Sequence, residues 1–272
     1  MKTITKKEYK KIDLGLLKFL KDVCAKYKLK YYLAYGTLIG AIRHQGMIPW
    51  DDDLDVMMPR EDFLKFEEIV GKGINPNYEV ISTNTHPEFT APLPKLVDNR
   101  TLLVQKYDFK ERTELGIYLD IFVLDGAGNT YDEAVTTYKK AYKLYTNWRI
   151  SDFKLFPPHR NKLYGILRYM KYIKYELRGV SYYLDIVNNF DSKLSFYDCE
   201  YVATLSSGES NFKSNVWKKS DFGEGINVNF EGDLYLAPVN YDKLLKLEYG
   251  NYMQLPPKEK QISNHNFDVF LK

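Results

Sequence analysis

The chain has 272 residues, 44% of them hydrophobic and 28% charged, with a net charge of +3 at neutral pH. That length and apolar content suffice for one large α/β core with an insertion, and so balanced a charge singles out no partner. Two distant cysteines, Cys24 and Cys199, exclude a disulfide framework and a zinc-ligand spacing. Met1–Lys7 lacks the apolar core of a signal peptide, and no run approaches the ~18 uncharged apolar residues of a membrane span; the expected product is a cytosolic protein.

Along the chain, Ile12, Leu16, Phe19, Leu20, Val23 and Tyr27 recur at three- and four-residue steps, which predicts an amphipathic helix over 8–28. Tyr31-Tyr32-Leu33-Ala34 reads as a short strand before a turn at Gly36, and residues 36–43 as a helix whose first amides face a cluster of acids. That cluster is Asp51-Asp52-Asp53-Leu54-Asp55, four aspartates in five positions. Clustered carboxylates repel one another, so a folded chain tolerates them only where water or a cation neutralises them. Read as a strand over 52–58, the segment puts Asp53 and Asp55 on one face, which is half of an oxygen site for Mg²⁺, or for Mn²⁺ in its place. Pro59-Arg60-Glu61-Asp62 starts a helix with Phe63, Phe66, Ile69 and Val70 as its apolar face. Strands are expected over 78–83, 92–97 and 101–106, with Asp98-Asn99-Arg100 as a turn. Another is expected over 115–124, where Asp120 is the one charge in an apolar run.

From 131 to 195 the chain is Tyr- and Lys-rich and reads as two helical segments joined at Pro157-Pro158. Thr136 to Arg178 holds eleven lysines and arginines against two acids. That stretch is either a solvated face or a surface for a polyanionic acceptor or anionic lipid headgroups. Phe230-Glu231-Gly232 then lies between apolar stretches, 241–249 reads as a short helix stopped by Gly250, and 252–257 as an extended tail. The changes in character divide the chain into a core (1–130), a helical basic insertion (131–215) and a C-terminal block (216–272) that completes the core.

The chemistry these residues suggest is metal-assisted phosphoryl transfer. Asp120, a lone carboxylate in a buried strand, is the best third ligand to join Asp53 and Asp55, although pairing with an arginine would also explain it. Gly36-Thr37 offers amides and a hydroxyl to phosphate oxygens, or is a simple turn. Arg43 is placed as a phosphate or carboxylate clamp. His44 could act as a base, but beside Arg43 and four aspartates it is more readily a hydrogen-bonded structural residue. His86, His159 and His265 have no ligand spacing.

The run Tyr35-Gly36-Thr37-Leu38-Ile39-Gly40-Ala41-Ile42-Arg43-His44-Gln45-Gly46-Met47-Ile48-Pro49-Trp50-Asp51-Asp52-Asp53-Leu54-Asp55, followed by Met58-Pro59-Arg60, resembles the signature of the LicD family, which includes the fukutin-type enzymes. Lys95–Thr101, Gly116–Gly126, Phe230-Glu231-Gly232, Tyr249–Tyr252 and Leu255-Pro256-Pro257 extend the likeness over nearly the whole chain, least of all in 131–215. The resemblance implies an α/β (α+β) fold, a nucleotidyltransferase-like mixed sheet flanked by helices. It also implies a phosphotransferase reaction. Bacterial members transfer phosphocholine from CDP-choline to a sugar hydroxyl of a teichoic acid or lipopolysaccharide, releasing CMP, and fukutin-type members transfer ribitol phosphate. Carried over, Asp53, Asp55 and Asp120 would hold Mg²⁺, Gly36 and Thr37 would contact the diphosphate, and Arg43 and Lys95 would contact phosphate. The general base is left open among Asp51, Asp52 and Glu231. The spacing of 16 from Thr37 to Asp53 is long for nucleotidyltransferases at large but natural for this family.

Choline is recognised by aromatic faces, and the chain holds 24 Tyr and 3 Trp. Trp50, beside the aspartates, is the first candidate, followed by Trp148, Tyr182 and Trp217. The expected partners are a CDP-choline donor and a lipid-linked teichoic acid precursor, with peripheral contact at the inner membrane face and no nucleic acid. The alternatives are another phospho-alcohol, such as phosphoethanolamine or a polyol phosphate, a non-catalytic module that grips an anionic glycan, or a nucleotidyltransferase acting on RNA or an antibiotic.

Overall fold

Thr5 fixes where the first helix begins. Its hydroxyl accepts from the Glu8 N–H at 3.3 Å while the Glu8 carboxylate accepts from the Thr5 N–H at 2.9 Å, satisfying two otherwise orphaned donors. The computed structural model, which describes residues 1–105, 114–152, 162–262 and 267–272, places strand β1 (Lys2–Thr3) before this cap and helix α1 (Lys6–Tyr27) after it. The buried stripe of α1 is Asp13, Leu16, Leu17, Leu20, Val23 and Cys24. Burying a leucine side chain contributes about 1.5–3 kcal/mol, so three at 0% exposure hold this helix to the sheet.

The sheet is mixed. Strand β2 (Tyr32–Leu33) pairs antiparallel with β3 (Asp55–Pro59), and β3 pairs parallel with the long β6 (Leu115–Gly128). On its other side β6 pairs antiparallel with β5 (Lys95–Gln105). The outer edge of β5 is shared by β4 (Tyr78–Ile81) and β11 (Phe267–Leu271), and β11 carries β1. Beyond Leu124, β6 continues into a ladder with β7 (Tyr201–Ala203) and then β8 (Val216–Lys218). The main apolar core lies where α1 and α3 (Arg60–Gly71) meet the sheet. This is the mixed α/β architecture expected.

Three sequence expectations need correction. Strand β3 begins at Asp55 rather than at 52, because Pro49-Trp50 turns the chain and the Asp51 N–H bonds back to the Ile48 carbonyl at 3.0 Å. Residues 95–105 form one strand with an irregularity between Asp98 and Leu103, where the Asp98 carboxylate accepts from the Arg100 N–H at 3.0 Å and spares the chain a turn. The basic segment forms three helices, α4 (Tyr131–Asp152), α5 (Lys162–Glu176) and α6 (Val180–Asp191), with Gly179 at φ 78° separating the last two; Pro157-Pro158 lies outside the described residues. Glu231-Gly232 lies between two apolar stretches, as expected, and is the turn of the hairpin they form, β9 (Ile226–Phe230) and β10 (Asp233–Ala237), with φ of 53° and 83°. Helix α7 (Tyr241–Tyr249) ends before Gly250, as expected.

Candidate active site

Strand register builds the site. The parallel pairing of β3 and β6 sets Asp55 opposite Asp120, and the antiparallel pairing of β5 and β6 sets Lys95 opposite the same Asp120. Asp55, Asp120 and Lys95 therefore form one row across three adjacent strands. The Lys95 ammonium donates to the Asp120 carboxylate and sits 3.7 Å from the centre of the Tyr118 ring. Asp55 is buried, and burial above all, then the charges of Asp53, Asp120 and Asp51, hold its carboxyl well above the usual carboxylate range, with Lys95 opposing.

The chain reaches this row through a short helical passage. Tyr35, at φ 44°, turns it from β2 into α2 (Tyr35–Ile39), which continues as a wider π-helical turn over Gly40–His44. Thr37 is buried there, and its hydroxyl accepts from the Asp55 N–H at 2.8 Å. Gly36 has no spare room, since a Cβ would stand 2.6 Å from the Asp51 Oδ2. Two of the expected phosphate-binding residues thus physically seat the aspartate segment.

Asp51, Asp52 and Asp53 are half-buried, and one carboxylate oxygen from each lies within 4.8 Å of the others. Asp55 follows two residues after Asp53, as the first residue of β3. The donor set is all oxygen and all anionic, which fits a hard divalent cation such as Mg²⁺ or Mn²⁺. Asp53 is common to this group and to the Asp53, Asp55 and Asp120 set of the sequence, whereas Asp120 is engaged by Lys95.

The remaining candidates disperse. Arg43 donates to the Tyr252 carbonyl at 2.6 Å, tying the π-helical turn to the C-terminal block, and to His44 Nδ1 at 3.3 Å. Burial and the Arg43 charge lower the His44 pKa, and its ring meets Trp50 edge-on at 5.9 Å. Glu231 accepts from the Met47 N–H at 2.9 Å and pairs with Lys10 at 2.7 Å; a Cβ on Gly46 would strike its carboxylate. Glu231 therefore braces the loop that leads to the aspartates. Of the aromatic candidates, Trp50 alone stands beside the cluster. Trp148 is 4% exposed and donates to the Thr90 carbonyl, Trp217 is 3% exposed among Tyr32 and Phe222, and Tyr182 lies on the outer surface of α6. Both cysteines are buried and free, His86 lies 3.9 Å from Glu79, and His159 and His265 fall outside the described residues.

A cavity with a mixed polar and apolar lining adjoins the row. Phe122 and Pro94, each within two residues of Asp120 or Lys95, line it together with Thr83, Asn188, Thr204 and Ser206. Arg60 pairs bidentately with Asp125 at its wall, the Nη2–Oδ2 distance being 2.8 Å. Asp191 accepts from Ser206 through one oxygen, and burial raises its pKa to about 7.

Sequence reasoning overlooked Asp13. It is fully buried, neither of its carboxylate oxygens has a hydrogen-bond partner among the described residues, and burial first, then the charges of Asp53, Asp120, Asp52 and Asp51, hold its carboxyl well above the usual range. The legible signal was an acid at a position of the apolar stripe of α1.

The sequence of this chain is similar to those of known proteins. The family described as LicD/FKTN/FKRP, nucleotidyltransferase domain, matches residues 28–166, over half of the chain and the whole of the Asp55, Asp120 and Lys95 row. The chain belongs to the LicD family. Over 273 aligned residues, covering 100% of both chains, it is 28% identical to the lipopolysaccharide cholinephosphotransferase LicD of Haemophilus influenzae. An uncharacterised protein of Rickettsia prowazekii is 28% identical over 77% of this chain and 65% of its own length, and one of Rickettsia typhi is 45% identical over 60 residues, 21% of this chain and 19% of its own.

Proposed function

We propose that this protein transfers phosphocholine from CDP-choline to a sugar hydroxyl of a lipopolysaccharide or teichoic acid precursor, releasing CMP. The observation that carries this reading is the Asp55, Asp120 and Lys95 row together with the Asp51–Asp53 cluster, in a chain similar end to end to a cholinephosphotransferase. The acceptor oxygen bonds to the choline-bearing phosphorus, the bond from that phosphorus to CMP breaks, and the hydroxyl proton passes to a carboxylate. A divalent cation at the aspartates would neutralise the diphosphate and the departing CMP. Lys95 adds a fixed positive charge at the row, Gly36 and Thr37 hold Asp51 and Asp55 in place, and Asp51 or Asp52 receives the proton. Glu231 is a weaker base, since Lys10 and the Met47 amide already engage it. The hydroxyl- and amide-lined cavity beside the row suits ribose or acceptor-sugar hydroxyls.

A lipid-linked acceptor brings the enzyme to the inner membrane face. Ile166, Met170, Ile173 and Leu177, spaced by four, three and four residues, are 41–83% exposed along α5 and its end, within the most basic part of the chain. Among the described residues no helix is long and apolar enough to cross a membrane, so this contact is peripheral.

A second reading, transfer of phosphoethanolamine or a polyol phosphate, draws on one observation. Of the four aromatic candidates only Trp50 adjoins the cluster, and its ring is already met by His44.

The deciding experiment is CMP release with Mg²⁺ from CDP-choline, CDP-ethanolamine and CDP-ribitol, with lipopolysaccharide and teichoic acid precursors as acceptors. Release confined to CDP-choline and reduced at least 100-fold in Asp53→Ala is expected. Release from another donor alone moves the assignment to the second reading, and none from any donor with either acceptor rejects phospho-alcohol transfer.

A further inference from the structure

Asp13 is an anomaly in the packing of α1. It occupies the helix face laid against the sheet, is 0% exposed, and finds a hydrogen-bond partner for neither oxygen among the described residues. Buried polar groups are almost always satisfied, and a buried carboxylate left alone is among the most costly groups a fold can carry. Keeping it neutral does not remove the difficulty, because a carboxylic acid still needs an acceptor for its proton. Its position sharpens the problem. The charges that bear on it, strongest first, belong to Asp53, Asp120, Asp52 and Asp51, and α1 packs across β5 and β6, the strands that carry Lys95 and Asp120. A fifth carboxylate, buried on the helix face that packs over the strands of the row, becomes a favourable arrangement if a cation stands between it and the aspartates.

We propose that Asp13 is part of the cation site and supplies a carboxylate from α1 to the ion held by Asp51, Asp52 and Asp53, directly or through one of the ion's waters. The inference rests on the reading of that cluster as a divalent-cation site. Mg²⁺ and Mn²⁺ keep an octahedral shell in which waters are themselves bound by nearby carboxylates, so an unpartnered acid buried between α1 and the strands of the row has a defined task. The consequence reaches the first helix. Residues 6–27, which no D-x-D motif includes, become a wall of the site, and cation binding tightens the docking of α1 on the sheet.

The test is Mn²⁺ binding to the full chain without donor or acceptor, by calorimetry or by the electron paramagnetic resonance signal of free Mn²⁺, for the wild type, Asp13→Asn and Asp53→Ala. Expected are saturable binding by the wild type, its loss in Asp53→Ala, and affinity at least tenfold weaker in Asp13→Asn with an unchanged circular dichroism spectrum. Asp13→Asn binding as tightly as the wild type overturns the role of Asp13 and leaves the cluster intact as a site. A wild type that binds no Mn²⁺ at millimolar concentration overturns the cation reading and this inference together. Should Asp13→Asn not fold, anomalous scattering from Mn²⁺ soaked into wild-type crystals decides instead. An ion within about 5 Å of an Asp13 oxygen supports the inference, and one farther away sinks it.

Discussion

Thr37 shows how much of this site depends on single atoms. The Asp55 N–H donates to its hydroxyl at the point where β3 begins, and both residues are buried. Thr37→Val keeps the shape and removes the acceptor, so it should cost about 1–3 kcal/mol. Urea unfolding measures that loss, and Thr37→Ser should restore most of it; equal midpoints for valine and threonine would show the bond to be idle. Residues of this kind divide cleanly by legibility. Asp51, Asp52, Asp53, Asp55 and Asp120 could be read directly, because carboxylates crowded together or set in an apolar strand contradict the hydrophobic pattern around them. Glu231 could not be placed, because its partners Met47 and Lys10 lie 184 and 221 positions away. Trp148 and Trp217 were equally opaque, since composition does not distinguish a core indole from one that faces a ligand.

At the scale of elements, periodicity found α1, α3 and α7, whose apolar stripes are regular, and composition failed where local hydrogen bonds replaced a turn. Asp98-Asn99-Arg100 has turn chemistry, yet the Asp98 side chain takes the Arg100 amide and the strand runs on. Glu231-Gly232 was missed as a hairpin because glutamate is an unusual residue at positive φ. α5 is the element whose surface is hardest to explain by folding alone. Ile166, Met170 and Ile173 point to solvent while Tyr175, on the opposite face, donates to the Asn147 side chain at 2.7 Å. If that stripe meets a lipid surface, Ile166→Gln combined with Met170→Gln should lower co-sedimentation with phosphatidylglycerol vesicles at least tenfold, each apolar side chain contributing about 1.5–3 kcal/mol when buried. Neutral phosphatidylcholine vesicles should bind the wild type weakly, given the basic charge of the segment. Equal binding of the double variant and the wild type would separate α5 from the membrane.

Over the whole molecule, the buried acids set the direction in which stability changes with pH. Burial raises Asp125 to about 6 and Asp191 to about 7, and raises Glu248 to about 7. The acids held below their usual range, such as Glu8, Glu68, Glu133 and Asp242, are exposed, so solvent screens what they add. A carboxyl whose pKa is higher folded than unfolded binds protons that the unfolded chain has already released. Its stabilising share is therefore complete below about pH 4 and is lost as pH rises through about 7. The fold should accordingly weaken between pH 5 and pH 8, the reverse of a protein held by ionised acids in salt bridges. Asp191→Asn isolates the effect, because the amide still accepts from Ser206 and has no charge to acquire. Its stability relative to wild type should improve from pH 5 to pH 8 by on the order of 1–3 kcal/mol. Parallel pH profiles for the two proteins in denaturant titrations would mean that Asp191 is ionised throughout and that Arg60, whose charge favours that form, controls it.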